Sequence, residues 1–275
     1  MPAGRFVVAE TPLAEHADLE LPAEIAHQVR DVLRLAPGDT IRLLDGRGGE
    51  YPAAVVEVSR KRVAVRLGAR QETAPEPGPR VVLCQGMLKA AKFELVLQKC
   101  TELGVSEFIP LLSERAIAAT DELSDAKQLR WQHILAEAVE QSGGSRLPTL
   151  TEPRPLMDTL ASLPLGGIAL FPWEKARDLT LRAALQAAIA ERGGIEDVPK
   201  VYLFIGPEGG FSAGEAALAE RAGARFVTLG PRVLRAETAA IVATALTLDT
   251  LREELTTEGT EGTENTEVTQ RLKRL

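Results

Sequence analysis

The sequence predicts an α/β protein in two parts, a small β-rich domain followed by a larger domain of alternating strands and helices. Short β-type runs joined by glycine-rich turns dominate residues 1–74, whereas apolar runs alternate with helical stretches from residue 81 onward. Between them, residues 73–79 hold three prolines and one glycine, a composition that interrupts both helices and strand ladders. We therefore predict domains at 1–74 and 81–252, joined by a linker at 75–80.

The composition is that of an ordinary globular protein. The chain has 275 residues, of which 45% are hydrophobic and 26% charged, and its formal net charge is −7. No apolar run is long enough to cross a membrane, and the N-terminus lacks the apolar core of a secretion signal. The two cysteines and three histidines show no metal-ligand spacing. We expect a cytoplasmic protein without a membrane or metal partner, and one that is not a globally basic nucleic-acid binder.

In the first domain, three short strands and one helix are expected. The strands are predicted at 41–44, 53–58 and 63–67, and strands this short with glycine-rich turns suggest a small barrel-like sheet. The helix begins near Pro22, and its apolar face is expected to comprise Ile25, Val29, Val32 and Leu33.

In the second domain, strands and helices alternate, which implies parallel pairing through helical crossovers. Strands are predicted at 81–84, 108–109, 168–171, 201–205 and 226–229, and helices at 90–103, 124–142, 179–192 and 237–252. Residues 253–275 are rich in Thr, Glu and Gly and hold few apolar side chains. We predict a disordered tail there, because such a segment buries too little surface to offset its ordering entropy.

Two glycine-containing loops each follow a predicted strand. The first covers 205–211 and precedes a capping box formed by Ser212 and Glu215. The second covers 229–239 and contains a Gly-Pro turn, Arg232, Arg235 and Glu237. Because carboxyl ends of parallel strands share one edge, both loops should open together and expose backbone N–H groups to a ligand. The alternatives are a tight connection without a ligand for the first loop and a solvated helix end for the second.

Cationic side chains cluster at three further places. One helix carries Lys89, Lys92 and Lys99, and the helix of the first domain carries His27, Arg30 and Arg34 on one side. Residues 60–70 hold five cations and no acid, including Arg62 and Arg66 on one face of a strand. For the lysine helix, a salt-bridged solvent face is the favoured explanation. For the two groups of the first domain, phosphate contact and an ordinary polar surface explain the cations equally well.

Five ordered motifs resemble one known family. They occupy 97–105, 110–115, 137–143, 205–211 and 229–239, and the first domain agrees at 27–34, 38–39 and 44–46. Together they resemble the RsmE family, the bacterial 16S rRNA uridine N3-methyltransferases of the SPOUT superfamily, over residues 5–252.

The resemblance implies a PUA-like β-barrel followed by a SPOUT α/β domain with a C-terminal trefoil knot. It also implies S-adenosylmethionine as cofactor, a homodimer through the knotted domain, and 16S rRNA or the 30S subunit as substrate. The residues expected to bind the cofactor are Leu203, Ile205, Gly206, Pro207, Gly210, Leu229, Gly230, Val233, Leu234, Thr238 and Ala239.

The same resemblance assigns catalysis and RNA contact. Arg235 is expected to stabilise developing negative charge on the uracil, and Glu237 to act as base or orienting group. The residues expected on the RNA side are Arg5, His27, Arg30, Arg34, Arg62, Arg66, Lys89, Lys92, Lys99, Arg115 and Arg146. The chain departs from the family where Gly144 replaces a basic residue, where Ala236 replaces a threonine, and where Arg5 stands without a second adjacent arginine.

Other functions stay open at this point. A SPOUT enzyme could methylate a different base or a ribose hydroxyl, and a non-catalytic RNA-binding protein could keep the same fold. A nucleotide-phosphate binder is disfavoured because Glu208 stands inside the first glycine loop.

Overall fold

The chain divides into two units, and the division does not follow the chain continuously. A computed structural model describes residues 3–9, 11–116 and 124–272, with side chains described as far as residue 257. The first unit consists of Met1–Glu76 with Gln132–Leu147, and the second of Pro77–Trp131 with Pro148–Leu275. The predicted domains are continuous stretches, so they do not include the segment 132–147 in the first unit.

The first unit is built on a six-stranded sheet in the order β1-β3-β4-β5-β2, with β6 paired to β4. Strand β1 pairs in parallel with β3, and the other pairs are antiparallel. Alternate side chains of the central strands, such as Leu43, Val55 and Val65, are buried in one apolar core. The strands are β1 (Arg5–Val7), β2 (Asp18–Glu20), β3 (Thr40–Leu44), β4 (Gly49–Val58), β5 (Val63–Leu67) and β6 (Gln71–Glu72).

The helix of the first unit is shorter in its α-helical part than predicted. Helix α1 covers Ala23–His27, and a π-helical turn follows at Gln28–Val32. The wider turn changes the angular phase of the side chains. Val32 is therefore 65% exposed and Leu33 40% exposed. The predicted apolar face was wrong at these two positions, and the buried face comprises Ile25, Ala26 and Val29.

The segment 132–147 joins the first unit through polar contacts with its strands. The backbone N–H of Val7 donates to the carboxylate of Glu140 at 2.7 Å. Arg5 donates to the Gly144 carbonyl at 2.9 Å and to the Glu50 carboxylate at 2.8 Å. Burial raises the pKa of Glu140, against the lowering effect of the Val7 N–H.

The second unit is built on a parallel sheet in the order β10-β8-β7-β12-β11-β13, with β9 paired to β8. All pairings among its described strands are parallel, which confirms the predicted crossover arrangement. The strands are β7 (Arg80–Gly86), β8 (Glu107–Leu112), β9 (Thr149–Leu150), β10 (Arg154–Pro155), β11 (Ile168–Pro172), β12 (Lys200–Ile205) and β13 (Arg225–Val227).

Helices cover both faces of this sheet. Cys84 and Phe204 pack in one core with residues of α4 and α6, while α7 packs on α2, α5 and the central strands. Helix α2 ends at Gly104, whose φ of 115° gives the left-handed helix terminus that glycine favours. The helices of this unit are α2 (Ala90–Leu103), α4 (Leu156–Ala161), α5 (Leu181–Ala190), α6 (Ala213–Arg221) and α7 (Ala236–Leu272). Helix α3 (Asp125–Ser142) begins in the second unit and continues into the segment 132–147 of the first.

Helix α7 continues beyond residue 252, where the sequence analysis places its end. Glu253 pairs with Arg182, and Glu254 accepts a hydrogen bond from Gln186 at 2.9 Å, both on α5. The first residues of the predicted tail therefore belong to the helix, because acidic side chains find polar partners there. Within the part of the chain that the structure describes, no helix combines the length and apolar character of a membrane span.

Both cysteines are buried, and this burial predicts that their thiols react slowly in the native protein. Desolvation raises the pKa of the Cys100 thiol to about 12, against a lowering hydrogen bond from Thr244, and it also raises the pKa of Cys84.

Thiolate is the reactive form of cysteine, so at pH 8 the native protein should react negligibly with a disulfide reagent. The urea-unfolded protein should release the reagent's chromophore from both thiols within minutes. Fast reaction of the native protein would contradict the burial.

Candidate functional site

A cavity of about 360 Å³ opens in the second unit at the carboxyl ends of β11, β12 and β13. Three loops form its wall: the residues after β11, the glycine loop 205–211, and the segment 228–237 that leads into α7. Parallel strands bring these carboxyl ends to one edge, where open α/β sheets bind their ligands. The structure thus places the two predicted glycine-containing loops side by side.

The glycine loop 205–211 is a tight turn in which Gly206 packs against residues 210 and 211. The N–H of Gly210 donates to the carbonyl of Pro207 at 2.9 Å, and Gly210 has a φ of 67°. A Cβ at Gly206 would lie 3.2 Å from Gly210 Cα and from Phe211 N. These two glycines are therefore required by the turn, and they leave its main chain open to a ligand.

Strand β7 supports this loop from the neighbouring position in the sheet. A Cβ at Gly86 would lie 2.5 Å from the backbone nitrogen of Pro207, so the two main chains touch directly. The amide of buried Gln85 donates to the Gly86 carbonyl at 2.9 Å and to the Gly206 carbonyl at 3.3 Å. The position of the loop is thus set by β7 as well as by its own strand.

The predicted catalytic pair stands at the start of α7. Arg235 is exposed, and its side chain has no hydrogen-bond or ion-pair partner among the described residues. Glu237 is only 9% exposed and lies in the first turn of α7, where the helix dipole favours negative charge. Its Oε2 atom is buried without a hydrogen bond and lies 3.8 Å from the ammonium of Lys92. Both side chains line the cavity. That of Arg235 is exposed and unpaired among the described residues, and that of Glu237 is almost completely buried.

Lys92 lies between two carboxylates at the cavity wall. Its ammonium is 3.3 Å from Glu208 and 3.8 Å from Glu237. Burial tends to raise the pKa of Glu208, but hydrogen bonds from backbone N–H groups and from Lys92 outweigh it, so the pKa lies below its ordinary value. The sequence analysis places Lys92 on the RNA side, whereas the structure places it in the cavity.

Most residues of the predicted cofactor set line this cavity. Two do not: Leu203 is fully buried in the middle of β12, and Thr238 is exposed on α7. The predicted residues at the wall are Ile205, Gly206, Pro207, Gly210, Leu229, Gly230, Val233, Leu234 and Ala239, together with Arg235 and Glu237.

The end of β11 and the loop that follows it were not predicted as part of the site. Phe171 of β11 and Trp173, Glu174 and Arg177 of the loop line the cavity. The ring of Phe171 packs tilted against Phe211 of the glycine loop, with 4.6 Å between ring centroids. The available signal was the apolar run at 168–171. Its carboxyl end belongs to the same edge as the other two loops, but it lacks glycine.

In the first unit, the predicted RNA-side cations are mostly paired with acids. His27 and Arg30 both contact Asp31, at 2.6 and 2.7 Å, and these bonds lower the pKa of Asp31 to about 2. Arg34 is exposed with a φ of 55° and has no side-chain partner in the described chain. The remaining pairs are Arg5 with Glu50, Arg62 with Glu57, Arg66 with Asp18, and Arg146 with Glu72.

In the second unit, the predicted RNA-side cations have different surroundings. Lys99 pairs with Glu102 at 2.8 Å, and Arg115 donates to the carbonyls of Gly209 and Phe211. Lys89 precedes α2, and its backbone N–H points to Glu208 at 3.5 Å. Only the Lys89 side chain lacks a polar partner among these described residues.

Two family models match the chain. An RNA methyltransferase domain matches residues 75–248, and an RNA methyltransferase PUA domain matches residues 21–68. A ribosomal RNA small subunit methyltransferase E from Synechocystis is 34% identical, over 88% of this chain and 76% of that protein. The chain belongs to this methyltransferase E family. The member from Mycobacterium bovis is 31% identical over 77% of this chain and 79% of its own length.

Two solved structures with bound S-adenosylmethionine are similar to this chain in fold. The enzyme from Neisseria gonorrhoeae, bound to S-adenosylmethionine, has a TM-score of 0.75 at 31% identity and covers 88% of this chain and 95% of its own. A methyltransferase from Legionella pneumophila, also in complex with that cofactor, has a TM-score of 0.73 at 31% identity, with 88% and 96% covered.

The contact of Lys92 with Glu208 predicts how that carboxyl titrates. In Lys92→Met, the pKa of Glu208 should rise toward its ordinary value near 4.5, because a hydrogen bond and a nearby positive charge are lost. A carboxyl with a lowered folded pKa stabilises the fold above its unfolded pKa, and this contribution disappears as the pH falls through the folded value. Carbon-13 NMR titration of the side chain measures the shift.

Lys99→Met is the matched control, since Lys99 lies on the same helix and pairs with Glu102 instead. The titration of Glu208 should be the same in this control as in the wild type. An unchanged pKa of Glu208 in Lys92→Met would show that the contact is absent in solution.

Proposed function

We propose that the protein methylates N3 of a specific uridine in 16S rRNA, with S-adenosylmethionine as methyl donor. The observation that carries this proposal is the cavity itself, formed by three loops at one sheet edge in a chain of the methyltransferase E family. Two relatives with the same fold were solved with this cofactor bound.

The residues of the cavity fit such a cofactor. The backbone of Gly206, Gly210 and Gly230 is accessible for close approach by an adenine ring, and Ile205 and Leu234 offer apolar contact. Besides Arg235, the cavity has three cationic side chains, Lys92, Arg177 and Arg232, which suit a carboxylate. The unbonded carboxylate oxygen of Glu237 suits a positive centre.

The residues of this chain have two tasks in catalysis: to handle the proton that leaves the uracil and to stabilise the negative charge that develops on it. When bound, S-adenosylmethionine supplies an electrophilic methyl group on a positively charged sulfur. The uracil N3 must lose its proton, and negative charge then develops on O2 and O4. Arg235 has a free guanidinium at the cavity wall to stabilise that charge, and Glu237 has a carboxylate to accept or orient the proton.

The finer architecture and the partners form part of the same proposal. We place a PUA-like β-barrel in the first unit and a trefoil knot in the second, with a homodimer formed through the knotted part. The path of α7 supports the knot, because this helix follows the edge strand β13 and yet packs against the central strands β7 and β12. The substrate is the 30S subunit or its rRNA, in the cytoplasm, contacted through the arginines and lysines described above.

A methylation assay on 30S particles and on free 16S rRNA tests this function. Both substrates should come from cells that lack the modification, and the product nucleosides should be separated and identified by mass spectrometry. We expect one N3-methyluridine per 16S rRNA. A methylated ribose or a different methylated base would contradict the assigned position, and binding without methyl transfer would indicate a non-catalytic RNA-binding protein.

Replacement of Arg235 separates catalysis from cofactor binding. Arg235→Ala should lower the methylation rate about 100-fold, as loss of a charge-stabilising donor does, while the dissociation constant for S-adenosylmethionine changes less than about threefold. Single-turnover kinetics and calorimetry measure the two quantities. Arg252→Ala, an exposed arginine farther along α7, is the control and should match the wild type. A full rate in Arg235→Ala would remove Arg235 from the mechanism.

A further inference from the structure

A short turn after β8 lies against the glycine loop without lining the cavity. The N–H of Ala116 donates to the carbonyl of Ser113 at 3.1 Å, so residues 113–116 form a β-turn. No residue of this 113–116 turn is part of the cavity wall, whereas Gly209, which it contacts, is. The turn therefore contacts the loop without forming part of the cavity wall.

Arg115 makes the first set of contacts between the turn and the loop. Its Nη1 atom donates to the carbonyl of Gly209 at 3.3 Å and to that of Phe211 at 3.5 Å. A Cβ at Gly209 would lie 3.1 Å from Arg115 Cβ and 3.2 Å from the Arg115 carbonyl oxygen. These bonds tie two loop carbonyls to Arg115, and the packing explains the glycine at 209.

Glu215, which is only 4% exposed, makes the second set of contacts between the turn and the loop through its carboxylate. One oxygen accepts from the N–H of Ser212 at 2.7 Å, and the Ser212 hydroxyl accepts from the N–H of Glu215 at 3.1 Å. These two bonds are the ordinary capping box of α6. The other oxygen accepts from the N–H of Glu114 at 2.9 Å, a bond that a capping box does not need. One buried carboxylate thus joins the end of the glycine loop to the 113–116 turn.

We infer that Glu215 and Arg115 are positioning residues for the cofactor, acting through the backbone of the glycine loop. They hold the loop in its binding conformation before the cofactor arrives, so less conformational entropy is lost on binding. Arg115, which the sequence analysis assigns to the RNA side, then acts on the cofactor side. This inference rests on the proposed function, since it names what positions the loop of the same site.

The variant Glu215→Gln tests the inference directly. An amide can accept from only one of the two N–H groups and turns its NH₂ group toward the other, so one of the two bonds is lost. We expect the dissociation constant for S-adenosylmethionine, measured by calorimetry on the full chain, to rise about tenfold. The KM for 30S particles at saturating cofactor should stay within about twofold of the wild type.

Ser212→Ala is the matched control for the stability of α6. It removes the hydroxyl bond of the capping box but leaves both bonds of the Glu215 carboxylate. Its melting temperature should fall about as far as that of Glu215→Gln, because each variant loses one hydrogen bond at the start of α6. Its affinity for S-adenosylmethionine should stay within about twofold of the wild type. Equal losses of affinity in both variants would mean that only the helix cap matters and would overturn the inference.

Arg115→Ala provides a second test that does not depend on a buried group. The expected result is a several-fold weaker affinity for S-adenosylmethionine, with partial rescue in Arg115→Lys, because lysine can donate to one of the carbonyls. A raised KM for 30S particles with unchanged cofactor affinity would make Arg115 an RNA contact and overturn the inference.

Two outcomes separate the inference from the proposed function. Wild-type protein that does not bind S-adenosylmethionine would overturn the proposed function and this inference with it. Wild-type binding together with undiminished binding by Glu215→Gln and Arg115→Ala would overturn the inference alone.

Discussion

The direct contact between the main chains of Gly86 and Pro207 is the constraint on which the cavity depends. With only 2.5 Å between Pro207 N and the place a Cβ would take on residue 86, no side chain fits between the strand and the loop. Gln85 then binds the Gly206 carbonyl from the same strand. The glycine loop is therefore held in place by the adjacent strand β7, and the packing of the strands determines the shape of the cavity.

Positively and negatively charged side chains are grouped locally in this protein, so its negative net charge is compatible with an RNA substrate. The cavity wall carries cations and carboxylates side by side, and Lys92 contacts two acids there. On the first unit, most candidate arginines already have a carboxylate partner, as Arg66 has in Asp18. Paired arginines keep donors for phosphate but present a weaker electrostatic field, so long-range attraction of a polyanion to these groups is reduced.

Local features of the fold were predictable from the sequence, and features that depend on distant packing were not. The end of α2 at Gly104 and the capping box at Ser212 follow from neighbouring residues, and both were predicted correctly. The π-helical turn at Gln28–Val32 has no such signature, so the exposure of Val32 was missed. The grouping of 132–147 with the first unit depends on contacts such as that between Val7 and Glu140, far apart in the sequence.

In the candidate site, too, the features set by neighbouring residues were predictable and those set by distant packing were not. Both glycine-containing loops were recognisable because each combines glycine with a preceding apolar strand. The loop after β11 lacks glycine and contributes Trp173 through its position at the shared edge. Lys92 was placed on the RNA side, because helical spacing identifies which residues share a face but not what that face meets.

The order of strands in the second unit also bears on how the protein folds. The central strand β12 pairs along its whole length with β7, about 120 residues earlier in the chain. Pairing of strands so distant closes a large loop, which costs entropy before any contact compensates for it, and folding dominated by such contacts is slow. The cavity needs both strands, so it is complete only once this long-range pairing has formed. A ligand that binds only the complete cavity stabilises the folded protein by mass action. It does not stabilise earlier states of folding in which β7 and β12 are still unpaired.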